Sequence, residues 1–256
     1  MRYAFKVQYI GKNYAGSQIQ FRNGEQIDTP TIQGELEKAL GTLISGNLTV
    51  NNKRPVKTVF SGRTDRGVNS LGQVVHFDTD KHIVASKFVY SLNEILPDDI
   101  SVTDLKEVQT TFHAQKSAKR RHYRFEFVNR KCKNAFDGDL MRIKYEIDIE
   151  RMQSSLDYLM GEHDFSSFKS SGTLNPSTVC FIEKAECRRV GDHVVIDIIG
   201  NRFLYNMVRT IVGTLLEIEG HNLPSSHIKN VLDAKDRRKA GQTVSPYGLT
   251  LIEVTY

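Results

Sequence analysis

The sequence has no tryptophan, only three cysteines and only six prolines among 256 residues. Cys132, Cys180 and Cys187 are odd in number and include no C-x-x-C pair, which excludes a closed disulfide framework and a thiolate zinc site. With 18 glycines beside six prolines the chain is not collagen-like, and 39% hydrophobic with 25% charged residues excludes a disordered one. No run approaches the ~20 consecutive apolar residues of a membrane helix. The opening Met1-Arg2-Tyr3-Ala4-Phe5-Lys6 alternates polar and apolar residues and lacks the apolar core of a signal peptide. These absences lead to the expectation of a cytoplasmic protein with no membrane partner. At ~150 residues per domain, the length corresponds to one large or two modest domains.

Cofactor motifs are missing too. Gly62-Arg63-Thr64-Asp65-Arg66-Gly67 has the glycine spacing of a phosphate loop, but Val68-Asn69 follows where Lys-Ser/Thr would hold phosphate and Mg²⁺. His76, His113, His122 and His163 are scattered, and Glu162-His163-Asp164 is contiguous, so no metal site is expected. No G-x-S-x-G turn presents a serine nucleophile. The expected chemistry therefore uses neither a nucleotide cofactor nor a metal.

What is present is a modest basic excess, 35 Lys+Arg against 30 Asp+Glu, for a net charge of +5. It is concentrated: Lys116 to Lys133 holds eight basic residues and one acidic one, Glu126. Such a stretch suits a nucleic-acid partner.

Hydrophobic periodicity outlines the elements. Arg2–Ile10 reads as a strand and Gly11–Ile27 as a polar loop. A helix starts at Thr29-Pro30, carries Ile32, Leu36, Ala39, Leu40 and Leu43 on one face, and stops at Gly46. Val56–Phe60 and Gln73–Phe77 read as strands, Ala85–Leu96 as a helix and Ile100–Val108 as a strand. In the second half, Arg121–Val128 reads as a strand and Ile149–Met160 as a helix. Val179–Val190 and His193–Ile199 form a hairpin around Gly191-Asp192. Tyr205–Ile218 is an apolar helix capped by Gly220, Pro224–Leu232 a short helix and Leu249–Tyr256 a last strand. The order predicts an α+β fold of two domains, 1–110 and 111–256, each a mostly antiparallel sheet with helices on one face.

Three places could carry chemistry. Asp65 stands between Arg63 and Arg66 in a glycine-bounded loop, where neighbouring guanidinium groups would hold it ionised as a nucleophile or base. A turn aspartate bonding its own backbone is the alternative. Lys119-Arg120-Arg121-His122-Tyr123-Arg124-Phe125 mixes cations with aromatics, with Arg121, Tyr123 and Phe125 on one face and His122 and Arg124 on the other. Aromatics stack on unpaired bases while cations meet phosphates; a solvated edge strand with Phe125 in the core is the alternative. Arg209 lies inside an apolar helix, where a guanidinium is costly unless paired, and Asp65 is the partner expected for it; a surface arginine that snorkels is the alternative.

These segments, in order, resemble the TruA family of tRNA pseudouridine synthases. The signature is Gly62-Arg63-Thr64-Asp65-Arg66-Gly67-Val68 followed by Gly72-Gln73-Val74-Val75-His76-Phe77. Tyr9 to Gln18, Thr31 to Leu36, Leu92-Asn93, Leu96 to Ile100, Phe112-His113-Ala114, Arg121 with Tyr123, Gly161 to Phe165, Asn206 to Thr214 and Gly248 to Tyr256 agree in order. The resemblance implies a pseudouridine synthase fold of two ferredoxin-like halves with a basic cleft, used as a homodimer. It implies an isomerase that converts uridine to pseudouridine at positions 38, 39 and 40 of the tRNA anticodon stem-loop. It implies catalytic Asp65, Tyr123 packed on the target uracil, and Arg209 paired with the catalytic carboxylate. Arg63 would assist base flipping. Phe112, His113, Ala114, Gln115 and Lys116, with Arg121 and the loop from Gly172 to Ser177, would meet the tRNA. The chain departs from the family's usual residues at Ser17 (usually Trp), at Arg66 and Asn69 (Ala and His), at Gln115 (Arg), and over Ala240–Tyr247. Two other readings are an RNA-binding folding chaperone and an Asp-dependent nucleoside hydrolase. The second lacks the carboxylate or metal that would activate water.

Overall fold

A computed structural model describes residues 1–22, 24–45, 56–170 and 177–256. The chain divides into two compact units, Met1–Ala118 with Leu251–Tyr256, and Lys119–Thr250. In chain order the first unit contains β1 (Arg2–Tyr9), β2 (Phe21–Arg22), β3 (Glu25–Gln26), α1 (Ile32–Ser45), β4 (Thr58–Phe60), β5 (Asn69–Asp78), α2 (Ala85–Ile95) and β6 (Ile100–Val108). The second contains β7 (Arg120–Asn129), β8 (Arg142–Ile143), α3 (Ile149–Asp157), β9 (Gly161–Asp164), β10 (Val179–Val190), β11 (His193–Gly200), α4 (Met207–Gly220) and α5 (His227–Ala234). Most of the last strand, β12 (Leu249–Thr255), belongs again to the first unit. The fold is α+β, as expected, and its strand pairs are mostly antiparallel.

In the first unit the strand order is β6-β1-β5-β12, with β4 on β5. Period-two alternation on β1 sends Tyr3, Phe5, Val7 and Tyr9 into the core, where they meet Ile32, Leu36 and Leu40 of α1 and Leu92 of α2. β5 antiparallel to β1 adds Val75 and Phe77. The helix start expected at Thr29-Pro30 falls two residues later: Thr31 Oγ1 accepts from Gly34 N at 3.1 Å, as a cap hydroxyl does. The stop expected at Gly46 lies outside the described residues. The expected polar loop after β1 contains the short β2–β3 ladder.

In the second unit the order is β7-β11-β10-β9, all antiparallel, with β8 parallel to β7. Phe125 and Phe127 of β7 and Val194, Ile196 and Ile198 of β11 are buried, as are Met152 and Leu156 of α3 and most of α4. The apolar helix starts at Met207, not Tyr205, because Asn206 takes a left-handed backbone (φ 61°, ψ 7°) that cannot continue a helix backward. Gly220 is its last residue; the cap is His221.

The back of this unit is tied by one buried carboxylate. The Glu219 side chain is fully buried and takes Arg151 Nε at 2.8 Å and Nη2 at 2.9 Å. It also accepts from Asp148 N at 2.8 Å, while the Asp148 carboxylate caps α3 through the amides of Glu150 and Arg151. Removing one side of such a pair leaves the other buried and unpaired. Glu219→Ala is expected to lower unfolding stability by about 3 kcal/mol, seen as a fall in the urea midpoint at unchanged slope; a change under about 1 kcal/mol would show that the pair is dispensable.

Candidate active site

The loop carrying Asp65 joins β4 to β5 and rests on a buried polar lattice. Ser17 is fully buried. Its hydroxyl accepts from Thr64 N at 2.8 Å, and its own amide donates to Thr64 O at 3.1 Å. Thr64 Oγ1 lies 2.8 Å from the Tyr9 hydroxyl. Gln73, also fully buried, donates from Nε2 to Gly62 O at 2.9 Å and pairs through Oε1 with the Ser61 hydroxyl. A segment of loop backbone is thereby buried with its polar groups satisfied, which a loop of this composition needs in order to hold one shape. The loop closes with Val68 N on Asp65 O at 3.1 Å, and Gly67 supplies the positive φ of +82°. Asp65 is half-buried at the rim of this frame, and Arg63 and Arg66 are exposed. Burial raises the pKa of the Tyr9 hydroxyl against the pull of its Thr64, Gln73 and Ser70 partners, so it stays protonated at neutral pH.

Two of the departures from the family's usual residues take part in this frame. Ser17 is the acceptor just described, and Asn69 Oδ1 accepts from Gly11 N at 2.9 Å. Ser17, Thr64 and Gln73 were not singled out as site residues. The only signal was that Ser17 stood where the family usually has an aromatic.

Phe112 to Lys116 forms a tight turn after β6. Arg2, which grips Asp78 through two bonds of 2.7 and 2.8 Å, also donates from Nη1 to Thr110 O and Phe112 O, both at 2.7 Å. The buried His76 accepts from Ala114 N through Nδ1 at 3.1 Å, and the Tyr256 hydroxyl donates to Ala114 O at 2.8 Å. His113 Nδ1 accepts from the amides of Gln115 and Lys116, each at 3.3 Å. The turn is thus built from inside, and Gln115 and Lys116 are left exposed.

In the second unit, the connection from β11 to α4 gathers Arg121, Tyr123 and Arg209. The Tyr123 ring packs edge-on against Phe203 at 5.1 Å, and Arg121 Nη1 donates to Asn201 O at 2.6 Å. Arg209, on the first turn of α4, is half-buried; its Nε donates to Val244 O at 2.8 Å and its Nη1 to Asn206 Oδ1 at 2.7 Å. Of the loop from Gly172 to Ser177, only Ser177 is among the described residues; its carbonyl accepts from Arg202 at 3.2 Å.

The basic strand is less bare than its composition. His122 Nε2 lies 2.6 Å from Asp197 Oδ1, Arg124 grips the same carboxylate at 2.9 and 3.3 Å, and Arg188 joins it. Burial pushes the Asp197 carboxyl up, but the bonds from Arg124, Arg188 and His122 outweigh it and hold it at about 2. Arg120 pairs with Glu183 at 2.5 Å. Phe125 is in the core, but β7 is not the edge strand of the alternative reading: β11 pairs along one side and β8 pairs with its end on the other. Among the described residues no group of three or more His, Cys, Asp or Glu side chains could hold a metal ion, and no helix is long and apolar enough to cross a membrane.

Comparison with known proteins places the chain in one family. Residues 155–256 match the family model described as tRNA pseudouridine synthase. The chain is 39% identical to the tRNA pseudouridine synthase A of Exiguobacterium sp. strain AT1b, over 98% of this chain and 96% of that protein. It is 41% identical to the tRNA pseudouridine synthase A of Exiguobacterium sibiricum, over 100% and 96%. The crystal structure of a Cbf5-Nop10-Gar1 complex aligns at TM-score 0.37 and 9% identity, over 84% of this chain and 45% of that one, a likeness too low to carry weight. The chain belongs to the TruA family of tRNA pseudouridine synthases.

His76 gives the first unit a pH signature. Burial, then the charges of Arg2 and His113, lower it from 6.5 to about 4. The folded chain therefore binds fewer protons than the unfolded one between those values, so stability is complete above 6.5 and is lost as pH falls toward 4. In a thermal-melt series from pH 7 to pH 4, His76→Asn, which keeps an acceptor for Ala114 N, should show a shallower loss than wild type. Parallel curves would remove His76 as the source.

Proposed function

We propose that this chain converts uridine to pseudouridine at positions 38, 39 and 40 of the tRNA anticodon stem-loop, with Asp65 as the reacting carboxylate. Membership of the family makes it a tRNA pseudouridine synthase, an isomerase; the stem-loop site and the residue roles are the proposal. The C1′–N1 bond of uridine breaks, the base turns, and a C1′–C5 bond forms. The C5 proton leaves and N1 gains one, so product and substrate have the same composition. Asp65 attacks C1′, or removes a ribose proton to give a glycal; in either case its negative charge stabilises an oxocarbenium-like transition state. The base must first leave the stack, at an expense of a few kcal/mol that contacts in the cleft offset. Arg63 enters the gap it leaves, and Tyr123 packs on the uracil. Arg209 pairs with the carboxylate and keeps it ionised. Phe112 to Lys116 and Arg121 hold the tRNA.

The observation that carries this reading is the frame under Asp65. A half-buried carboxylate is presented from a loop whose neighbouring Thr64 is bonded on both sides to a fully buried serine. A turn built only for solvent has little need of such a foundation. The reading includes residues 1–110 as the domain of the aspartate loop, 111–256 as the domain that completes the site and the basic cleft, a homodimer in the cytoplasm, and no cofactor.

The test is tritium release from anticodon stem-loop transcripts labelled at uracil C5. Wild type should release tritium, and Asp65→Ala should lose release by about a thousandfold or more while binding tRNA within about threefold of wild type. Release by both proteins would remove Asp65 from the chemistry. No release by either, with binding intact, would favour the RNA chaperone. Phosphate contacts are tested separately. Lys119→Ala should lower the salt slope of tRNA binding by about one unit; Arg120→Ala should do less, because Glu183 already takes part of its charge. An unchanged slope in the lysine variant takes Lys119 out of the interface.

A further inference from the structure

The residue before α4 departs from ordinary helix chemistry in two ways. Asn206 stands at φ 61°, ψ 7°, a conformation that asparagine tolerates better than most residues but that remains uncommon outside glycine. An asparagine at a helix N-terminus usually turns its side-chain oxygen onto the free amides of the first turn. Here it makes no such bond. The oxygen faces Arg209 Nη1 at 2.7 Å, and the amide nitrogen donates to Ser170 Oγ at 3.0 Å. Ser170 in turn donates its backbone N–H to Tyr205 O at 3.1 Å, so the asparagine is fastened from both ends.

A second clamp comes from the segment that departs from the family's usual sequence. Val244 O takes Arg209 Nε at 2.8 Å, and Val244 N returns a bond to Arg209 O at 3.4 Å. The segment is pressed onto α4: a Cβ on Gly213 would lie 1.7 Å from Gln242 O, and Gly241 N donates to Thr214 Oγ1 at 2.9 Å. Thr210 and Thr243 meet through their hydroxyls at 3.2 Å. Both clamps on the guanidinium are neutral acceptors. Each fixes the plane of the guanidinium and brings no charge, where a carboxylate in the same place would bring one.

We propose that Asn206 is a positioning residue, held in a left-handed backbone so that its neutral side-chain oxygen aims the Arg209 guanidinium without adding a charge of its own. This rests on the reading of Arg209 as the partner of the reacting carboxylate. The role assigned to the asparagine is exercised through Arg209. Its strained backbone is the kind that persists where a site needs a fixed geometry.

Two variants separate aim from charge. Asn206→Gly keeps the left-handed backbone and removes the acceptor; kcat should fall about ten- to a hundredfold, with KM for tRNA within about twofold. Asn206→Asp keeps an acceptor and the backbone preference but pairs with the guanidinium; kcat should fall about tenfold with the melting temperature kept. In an Arg209→Ala background, assayed by single turnover with enzyme in excess, neither change should lower kcat by more than about twofold. Retention of kcat by either variant in the wild-type background, or an equal loss with and without Arg209, overturns the proposal. If Arg209→Ala itself keeps full kcat, the functional reading of Arg209 fails and the proposal falls with it. If Arg209→Ala loses activity while both Asn206 variants keep it, the proposal alone is wrong. Should the glycine variant not fold, the aspartate variant in the two backgrounds decides by the same criteria.

Discussion

A loop that presents a carboxylate cannot also be held by it. The bonds fixing such a loop must come from its neighbours, and where those neighbours are buried every one of their polar groups needs a partner. The Ser17–Thr64 exchange meets that demand: the hydroxyl and amide of Ser17 meet the amide and carbonyl of Thr64 and close the backbone beside Asp65. Tyr9 and Gln73 extend the lattice into the sheet, so the loop inherits the rigidity of β1 and β5. Were Thr64 N left without its acceptor, a buried donor would go unsatisfied, and the backbone next to the carboxylate would be the first to move.

The second unit solves the converse problem, how to carry many cations without letting them fold inward at random. Asp197, nearly buried, collects His122, Arg124 and Arg188 across three adjacent strands, and Glu183 takes Arg120. Part of the basic stretch therefore serves the sheet and not a ligand. Counting positive residues along the chain overstates what is offered to a polyanion, because partners such as Glu183 and Asp197 lie some 60 to 75 positions away.

The elements with a clean period were legible. β6 and both strands of the β10–β11 hairpin fall within a residue of the expected limits, because alternation bounded by turn residues has few other solutions. β8 and β9 were not read: at two and four residues they are too short for a period, and Glu162-His163-Asp164 is charged. The start of α4 was misplaced because Tyr205 continues the apolar pattern while Asn206, one residue on, breaks the backbone. Among candidate site residues, Asp65 stood out by its loop and Arg209 by its misfit in an apolar helix. The groups that hold them were not, since Ser17 and Thr64 are 47 positions apart and Val244 lies 35 beyond Arg209. A buried polar network has no period, and each member taken alone is an ordinary serine, threonine or glutamine.

The division of the chain has a consequence for the order in which it is made. Residues 251–256 belong to the unit that begins at Met1, and the whole of Lys119–Thr250 is translated in between. β12 is the neighbour of β5, and Tyr256 is the hydroxyl that holds Ala114 O. Throughout the synthesis of Lys119–Thr250 the earlier unit therefore waits with the β12 place in its sheet unfilled and the turn at Phe112–Lys116 missing one of its supports. The contacts that close it reach back 142 positions from Tyr256 to Ala114 and 181 from Leu251 to Ser70, a slow closure that depends on the earlier strands staying soluble until then.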